Sequence, residues 1–350
     1  MTSAVDVVVP CYRYGHLLPH CVRSILSQTG VDVRVLIIDD ASGDGSADVA
    51  RELAAADPRI EAREHTTNMR HIATFNEGVL DWAEAPLTLL ISADDELNDG
   101  ALRRAVDLMD AHPDVAFCYG HARRWDVTKP RPHLRQGAWR PIIYDGHSWL
   151  KGRFDAAANP VFSPTVVVRT ELQQKVGGYN PKMLHTSDLE MWLKLALHGD
   201  VGFISGADQG LYRVHESNMS SDYYDTDMGL KDLQMRALTF EEILTNHGDL
   251  LPDGPELDQM YRRRLAKEAL LRVGRAYDHG NGTIRATQAL EEFALQIYAD
   301  ARRLPEWRTL QLRKAMGPRV APFFSPLVFT AVGRRLRQRR LDERLINEGV

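Results

Sequence analysis

Short β-branched runs alternate with segments of helical period through the first 120 residues, and that alternation predicts parallel βαβ units. Strands are expected at Val5 to Val9, Val33 to Ile38, Arg59 to Arg63, Leu87 to Ile91 and Val115 to Tyr119. Helical period marks Leu17 to Gln28, Ser46 to Ala56, His71 to Trp82 and Gly100 to Ala111. Ser46 is suited to cap a helix start, while Asp57-Pro58 and His112-Pro113 come just after helix ends.

From Arg123 to Arg140 the chain is basic and rich in Trp and Pro, which predicts an excursion rather than a core element. A second sheet-like section comes next, with a strand at Phe162 to Val168, a helix at Leu184 to His198, and closing strands at Val201 to Ile204 and Gly210 to Val214. After about Tyr224 the period is helical throughout, in Gly229 to Asn246, Pro255 to Tyr277 and Thr283 to Arg302. The chain therefore divides into 1–120 and 121–222, two halves of an α/β domain with a mainly parallel sheet, and an α-helical C-terminal extension, 223–350.

At 350 residues the chain is long enough for roughly two domains of about 100 to 200 residues. Its 44% hydrophobic and 26% charged residues exclude disorder and collagen. A formal charge of -5 supplies no global field for nucleic acid, so no nucleic-acid partner is expected. Three cysteines, Cys11, Cys21 and Cys118, fit neither a disulfide framework nor a zinc site and favour a reducing compartment. The first residues lack a basic leader, and no run of about 18 apolar residues occurs, so a cytoplasmic protein is expected.

Ligands of parallel α/β sheets bind outside the carboxyl ends of strands, so the residues immediately after each strand are the first candidates for a site. Two strands end in paired carboxylates: Leu36-Ile37-Ile38 runs into Asp39-Asp40, and Leu89-Leu90-Ile91 into Ser92-Ala93-Asp94-Asp95. The first ends in Pro10-Cys11-Tyr12. Such carboxylates suit a Mg²⁺ or Mn²⁺ that also holds phosphate groups, and they accept N–H or hydroxyl donors from a nucleoside. The plainer reading makes each pair a turn or helix cap; two pairs beside a Pro-x-Tyr turn weigh against it.

These residues resemble the GT-A-fold glycosyltransferases of family 2, which transfer a sugar from a nucleotide diphosphate sugar with inversion. The resemblance rests on Val7-Val8-Val9-Pro10-Cys11-Tyr12, Ser24-Ile25-Leu26-Ser27-Gln28-Thr29, the stretch from Ile38 to Ser46, Asn76-Glu77-Gly78 and Ser92-Ala93-Asp94-Asp95. It continues through Gly177-Gly178-Tyr179, Ser187-Asp188-Leu189-Glu190-Met191-Trp192 and Tyr212-Arg213-Val214-His215. These ordered segments span roughly residues 5 to 220.

The resemblance implies a nucleotide-sugar-binding half in 1–120 and an acceptor-binding half in 121–222. Pro10, Tyr12 and Asp40, with Asp39 beside it, would line the nucleoside pocket. A carboxylate that accepts the N3–H of uracil or thymine favours UDP or dTDP, with guanine also able to offer an N–H. The family's metal-binding Asp-x-Asp falls on Ser92-Ala93-Asp94, so Ser replaces the first acid. Asp94 and His215 would hold Mn²⁺ or Mg²⁺, Asp95 would face the donor sugar or the metal shell, and Arg213 or Arg70 would offset the diphosphate. Arg70 stands where the family commonly has Gly, which exchanges easy access to positive φ for a phosphate donor. Asp188 matches the family's base, and Trp192 would pack or form part of the acceptor wall.

The expected reaction is metal-assisted single displacement to a hydroxyl or amine of a small molecule, lipid-linked glycan or polysaccharide. A nucleotidyltransferase is the competing enzyme class, but Pro10-Cys11-Tyr12-Arg13-Tyr14 is not a Gly-rich phosphate loop. A non-catalytic nucleotide-binding relative is the other alternative, suggested by Ser92. Near the C-terminus, Phe323 to Phe329 precedes an arginine-rich stretch from Gly333 to Arg340. That cluster reads either as a helix packed on the body or on a second copy of the chain, or as peripheral contact with the inner membrane face.

Overall fold

A computed structural model describes residues 4–216, 218, 226–280, 285–317, 320 and 343–350. The Phe323 to Arg340 cluster, on which the membrane and oligomer readings rest, lies outside the described residues. No described helix is long and apolar enough to cross a membrane. The chain divides into two compact units, 1–150 with 160–216 and 345–350, and 151–159 with 217–344.

The first unit is built on a nine-stranded mixed sheet. Its first half has the expected order: β1 (Ala4–Cys11), α1 (Leu18–Leu26), β2 (Asp32–Asp39), α2 (Ser46–Ala56), β3 (Ile60–Glu64), α3 (His71–Asn76) and β4 (Leu87–Leu90). β3, β2, β1 and β4 lie side by side and parallel. Val5, Val7, Val8 and Val9 are fully buried, as the near-continuous apolar run of a central parallel strand requires. α3 runs on into a π-helical turn, Glu77–Trp82, against which β1 packs closely: a Cβ on Gly78 would stand 2.2 Å from Val8 Cγ1. The Asn76-Glu77-Gly78 motif thus has a packing reason.

The second half departs from its expected pattern. After β5 (Glu96–Leu97) and α4 (Ala101–Ala111), β6 runs from Val115 to Asp126, and β7 (Gln136–Tyr144) returns along the sheet. The ends of the Arg123 to Arg140 stretch are therefore strand, in β6 and β7, and residues 127–135 between them are the excursion. The strand expected at Phe162 to Val168 is a 3-10 turn at Ser163–Thr165 and then β8 (Val167–Arg169), antiparallel to both β4 and β6. α5 (Gly146–Ala156), α6 (Thr170–Lys175) and α7 (Ser187–Ala196) complete the helices.

The two closing strands are one strand, β9 (Asp200–Val214), parallel to β6 and antiparallel to β5 and β7. Gly206 explains the misleading gap: it adopts φ +90°, and a Cβ there would lie 2.4 Å from the Ala138 carbonyl oxygen. Only glycine lets β9 kink there without losing β7. Ser46 is another correction. Gly45 precedes the helix in left-handed conformation, and the Ser46 hydroxyl instead accepts from Gly15 N–H at 2.9 Å and donates to Asp44 at 2.6 Å.

The second unit is helical: α8 (Leu230–His247), α9 (Gly254–Asp278), α10 (Arg285–Ile297) and α11 (Pro305–Met316). Phe240 stacks on Tyr261 and lies against Phe154 within it. A buried ion network, Asp232, Arg236, Glu268 and Arg272, ties α8 to α9.

Candidate active site

β1 lies between β2 and β4, and its last two residues touch both neighbouring strand ends. The Asp40 N–H donates to the Cys11 carbonyl at 2.9 Å, and the Ala93 N–H to the Pro10 carbonyl at 3.3 Å. The two acidic pairs therefore flank the β1 end, about 10 Å apart as two strand spacings dictate. Tyr12 is the next residue and is 42% exposed, with the Arg13 guanidinium 5.1 Å from its ring centre.

On the β2 side, Asp39 and Asp40 have different surroundings. Asp39 is buried and its carboxylate accepts the Ser42 hydroxyl at 2.5 Å and the Ser42 N–H at 3.0 Å, closing the turn. Asp40 Oδ1 accepts the Met69 N–H at 2.7 Å and pairs with His65 Nδ1 at 2.7 Å. The Asp40 carbonyl accepts from Asn68 at 3.2 Å. Nothing in the sequence singles out His65; a lone histidine after a weak strand carries no motif.

On the β4 side, Asp94, Asp95, Arg213 and His215 come together. His215 Nε2 lies 3.1 Å from Asp94 Oδ2. Asp95 Oδ1 accepts the Arg213 N–H at 3.0 Å, and Arg213 Nε donates to the Asp94 carbonyl at 2.7 Å. Burial, reinforced by the neighbouring Asp94 charge, pushes the Asp95 carboxyl well above its usual range. Glu96 completes the cluster: it accepts Arg213 at 2.5 Å and both arms of Arg131 at 3.1 and 2.7 Å. The Trp125 ring faces both guanidiniums, 4.7 Å from Arg213 and 5.7 Å from Arg131. Arg213 is thus a buried side chain bound to the acidic turn. Glu96 is legible as the third acid of an Asp-Asp-Glu run, but its partner Arg131 is not.

Tyr14 adjoins His215, ring centres 5.4 Å apart, and burial together with the Asp94 and Asp95 charges pushes its phenol well above the usual range. The loop after β1 therefore touches the β4 cluster directly. The Asp94–His215 pair offers one carboxylate oxygen and one imidazole nitrogen to a cation. Among the described residues no three His, Cys, Asp or Glu side chains gather as a complete metal site. A two-ligand set of this kind fits a cation whose other ligands are phosphate oxygens and water.

Arg70 is exposed and sits at φ 67°, so the backbone keeps the conformation glycine favours without being glycine. Arg13 and Ala41 do the same, at φ 63° and 55°. Three of the six non-glycine residues with positive φ among the described residues thus lie on the loops around the strand ends. Local strain of this kind gathers where a site demands a particular backbone.

Asp188 lies in the first turn of α7, half-buried, where its Oδ1 accepts the Leu189 N–H at 2.7 Å and the helix dipole favours its charge. The preceding loop is tied back to α3: His71 Nε2 donates to the Leu184 carbonyl at 2.9 Å, and Asn76 brackets Tyr179 with bonds of 2.8 and 2.7 Å. Burial, then the Asp188 charge, raises the Tyr179 phenol well above its usual range. Trp192 packs in the core, stacked on Phe117 at 5.6 Å and 1% exposed, and forms no acceptor wall. The three cysteines are buried free thiols; burial pushes Cys11 up to about 11 and Cys118 up to about 12.

The sequence profile of glycosyl transferase family 2 matches residues 6–162, which contain both acidic strand ends. Over that segment the chain is similar to glycosyl transferase family 2. An uncharacterised protein of Mycobacterium tuberculosis (strain CDC 1551 / Oshkosh) is 26% identical over 208 residues, 57% of this chain and 64% of its own length. The chondroitin synthase of Pasteurella multocida (strain Pm70) is 23% identical over 63% of this chain and 24% of its own. The first curated relatives are matched over 64%, 54% and 17% of their lengths, so the chain spans less than two thirds of each.

Among solved structures, S. aureus TarS residues 1–349 in complex with UDP-GlcNAc superposes with a TM-score of 0.61 at 17% identity, covering 91% of this chain and 89% of that one. The mannosyltransferase PcManGT of Pyrobaculum calidifontis, solved with GDP-Man and Mn²⁺, gives 0.50 at 18% identity over 91% and 87%. The fold is GT-A: a mixed, mostly parallel sheet flanked by helices, with a helical C-terminal region.

Proposed function

We propose that this chain transfers a glycosyl unit from a nucleoside diphosphate sugar to an acceptor hydroxyl or amine, with inversion at the anomeric carbon. The observation that carries the reading is the convergence of Asp40 on one side of the β1 end and of Asp94 with His215 on the other. Asp40 accepts an N–H of the base and Tyr12 lies against the nucleoside, which favours UDP or dTDP as the donor nucleotide. The β4 side receives the diphosphate.

A divalent cation, Mn²⁺ or Mg²⁺, would be held by Asp94 Oδ2 and His215 Nε2 and would neutralise the diphosphate as it leaves. Arg70, exposed on the loop before α3, supplies a further phosphate contact. Arg213 holds the Asp94-Asp95 turn from behind through the Asp94 carbonyl and the Glu96 carboxylate. Asp95, next to Asp94, faces the donor sugar or the metal shell.

Asp188 acts as the base. Its carboxylate takes the proton of the acceptor hydroxyl as that oxygen forms the new bond to the anomeric carbon. The bond from that carbon to the diphosphate oxygen breaks, and its electrons leave with the nucleoside diphosphate. No covalent enzyme intermediate is needed. The bound ligands of TarS and PcManGT support a nucleotide-sugar donor without choosing the base, since one holds UDP-GlcNAc and the other GDP-Man.

The test is release of nucleoside diphosphate from a panel of UDP-, dTDP- and GDP-sugars in the presence of Mn²⁺. One donor should be consumed by the wild type and not by Asp188→Asn. Equal release by both would remove Asp188 from the role of base, and no release from any donor would remove the activity.

A further inference from the structure

We propose that His65, held as an imidazolium between Asp40 and Glu77, is the positioning residue that fixes the base-recognising carboxylate; this rests on the assignment of Asp40 to the donor nucleobase made above. His65 Nδ1 lies 2.7 Å from Asp40 Oδ1, and Nε2 lies 2.7 Å from Glu77 Oε2. An ionised carboxylate only accepts, so both ring nitrogens must donate, and only the doubly protonated ring can do so. A neutral ring would satisfy one carboxylate and turn a lone pair on the other.

The surroundings leave His65 to this task. From β2, the Asp39 carboxylate is engaged by Ser42, and only its carbonyl reaches His65, accepting the N–H at 2.8 Å. From β3, Arg63 bonds Glu61 and the second oxygen of Glu77, and Glu64 pairs with Arg51. At the start of α3 His71 donates to Leu184, and Arg70 on the loop before it is exposed. The His65 side chain is 12% exposed and that of Asp40 6%, so little water is available to replace the bond between them. Burial lowers the basicity of the imidazole, but the Asp40 and Glu77 hydrogen bonds outweigh it and the net shift is upward.

Asp40 Oδ1 is thereby fixed by two donors, His65 and the Met69 N–H, while no hydrogen bond to Oδ2 occurs among the described residues. One oxygen anchors the carboxylate and the other is presented. Facing a doubly protonated ring and a backbone N–H, the Asp40 carboxylate acts as an acceptor. It therefore favours a base with a protonated ring nitrogen, such as N3–H of uracil or thymine or N1–H of guanine, over cytosine, whose N3 carries a lone pair. Loss of the His65 proton loosens the anchor, and donor affinity falls as pH rises.

Two measurements on the full chain test this. In ¹⁵N-histidine-labelled protein at about pH 7, one ring should show both nitrogens protonated, and that signal should vanish in His65→Gln. Calorimetric titration with UDP, dTDP and GDP from about pH 6 to about pH 9 should give an affinity that declines with pH in the wild type. His65→Gln should weaken binding on the order of tenfold at the low end and abolish the pH dependence, raising KM for the donor with little change in kcat. Glu77→Gln, whose amide can donate to a neutral ring, should flatten the profile, which a merely misfolded variant would not do.

A neutral His65 ring in the wild type overturns the proposal. So does a His65→Gln variant that binds nucleotide with wild-type affinity and pH profile; in that case the Asp40 assignment stands and only the positioning role fails. If none of the three nucleotides binds the wild type, the Asp40 assignment and the positioning role fail together.

Discussion

His215 Nε2 and Asp94 Oδ2, from residues 121 positions apart in the chain, lie 3.1 Å from each other at the end of β4. Under the proposed function this pair is the shared holder of the cation. Asp94→Ala should reduce sugar-donor turnover roughly 100-fold or more, and His215→Ala should raise the Mn²⁺ concentration needed for half-maximal rate. Metal titrations of the rate check both.

The Glu96 carboxylate pairs with both Arg213 and Arg131. Its pair with Arg213 is buried, with both side chains under a tenth exposed. Removing one partner of such a pair strands a buried charge, so Glu96→Ala should destabilise the chain by about 3 to 5 kcal/mol. Urea denaturation measures this, and Arg131→Ala, at the half-exposed member, should cost much less.

Arg70 holds φ at 67° in a segment where glycine would be unstrained. Arg70→Gly should therefore raise the melting temperature slightly, by relief of about 1 kcal/mol of backbone strain, while lowering turnover through loss of the cationic side chain. Opposite changes in stability and rate in one variant are the expected signature.

Much of this is legible in the sequence, and the exceptions share a cause. Apolar runs such as Val7-Val8-Val9 and Leu36-Ile37-Ile38 announce buried parallel strands because both faces are covered. The strand-end acids are legible because they come directly after those runs. The start of β7 reads as an excursion because it is exposed and carries a glycine and a proline, and β9 reads as two strands because Gly206 imitates a turn. His65 and Arg131 act through partners 12 to 35 positions away, and spacing along one chain does not report such pairs.

Asp208 sets a second, structural pH limit. Burial raises its pKa, but hydrogen bonds from His121 and Arg135, at 2.8 Å each, outweigh this and bring it down to about 2. A group lowered from 3.8 contributes stability that is present above that pH and lost as pH falls through about 2. Asp208→Asn should thus lower the melting temperature at neutral pH, with the difference from wild type vanishing in acid.

The His65 pair acts with the opposite sign. Its pKa is raised above 6.5, so its contribution to stability is complete below that value and is lost as pH rises through the folded-state pKa. Melting temperatures of wild type and His65→Gln across the alkaline limb should converge.

The claim on which the functional account rests is that Asp40, Asp94 and His215 border one nucleotide site. Thermal melting with UDP, dTDP, GDP and CDP, each with and without Mn²⁺, tests it most directly, because a ligand bound only by the folded state raises the midpoint by mass action. One nucleotide whose base bears a ring N–H should raise the midpoint, further with Mn²⁺, and Asp94→Ala should lose the Mn²⁺-dependent increment alone. Midpoints unmoved by all four nucleotides, with or without the cation, would contradict the account.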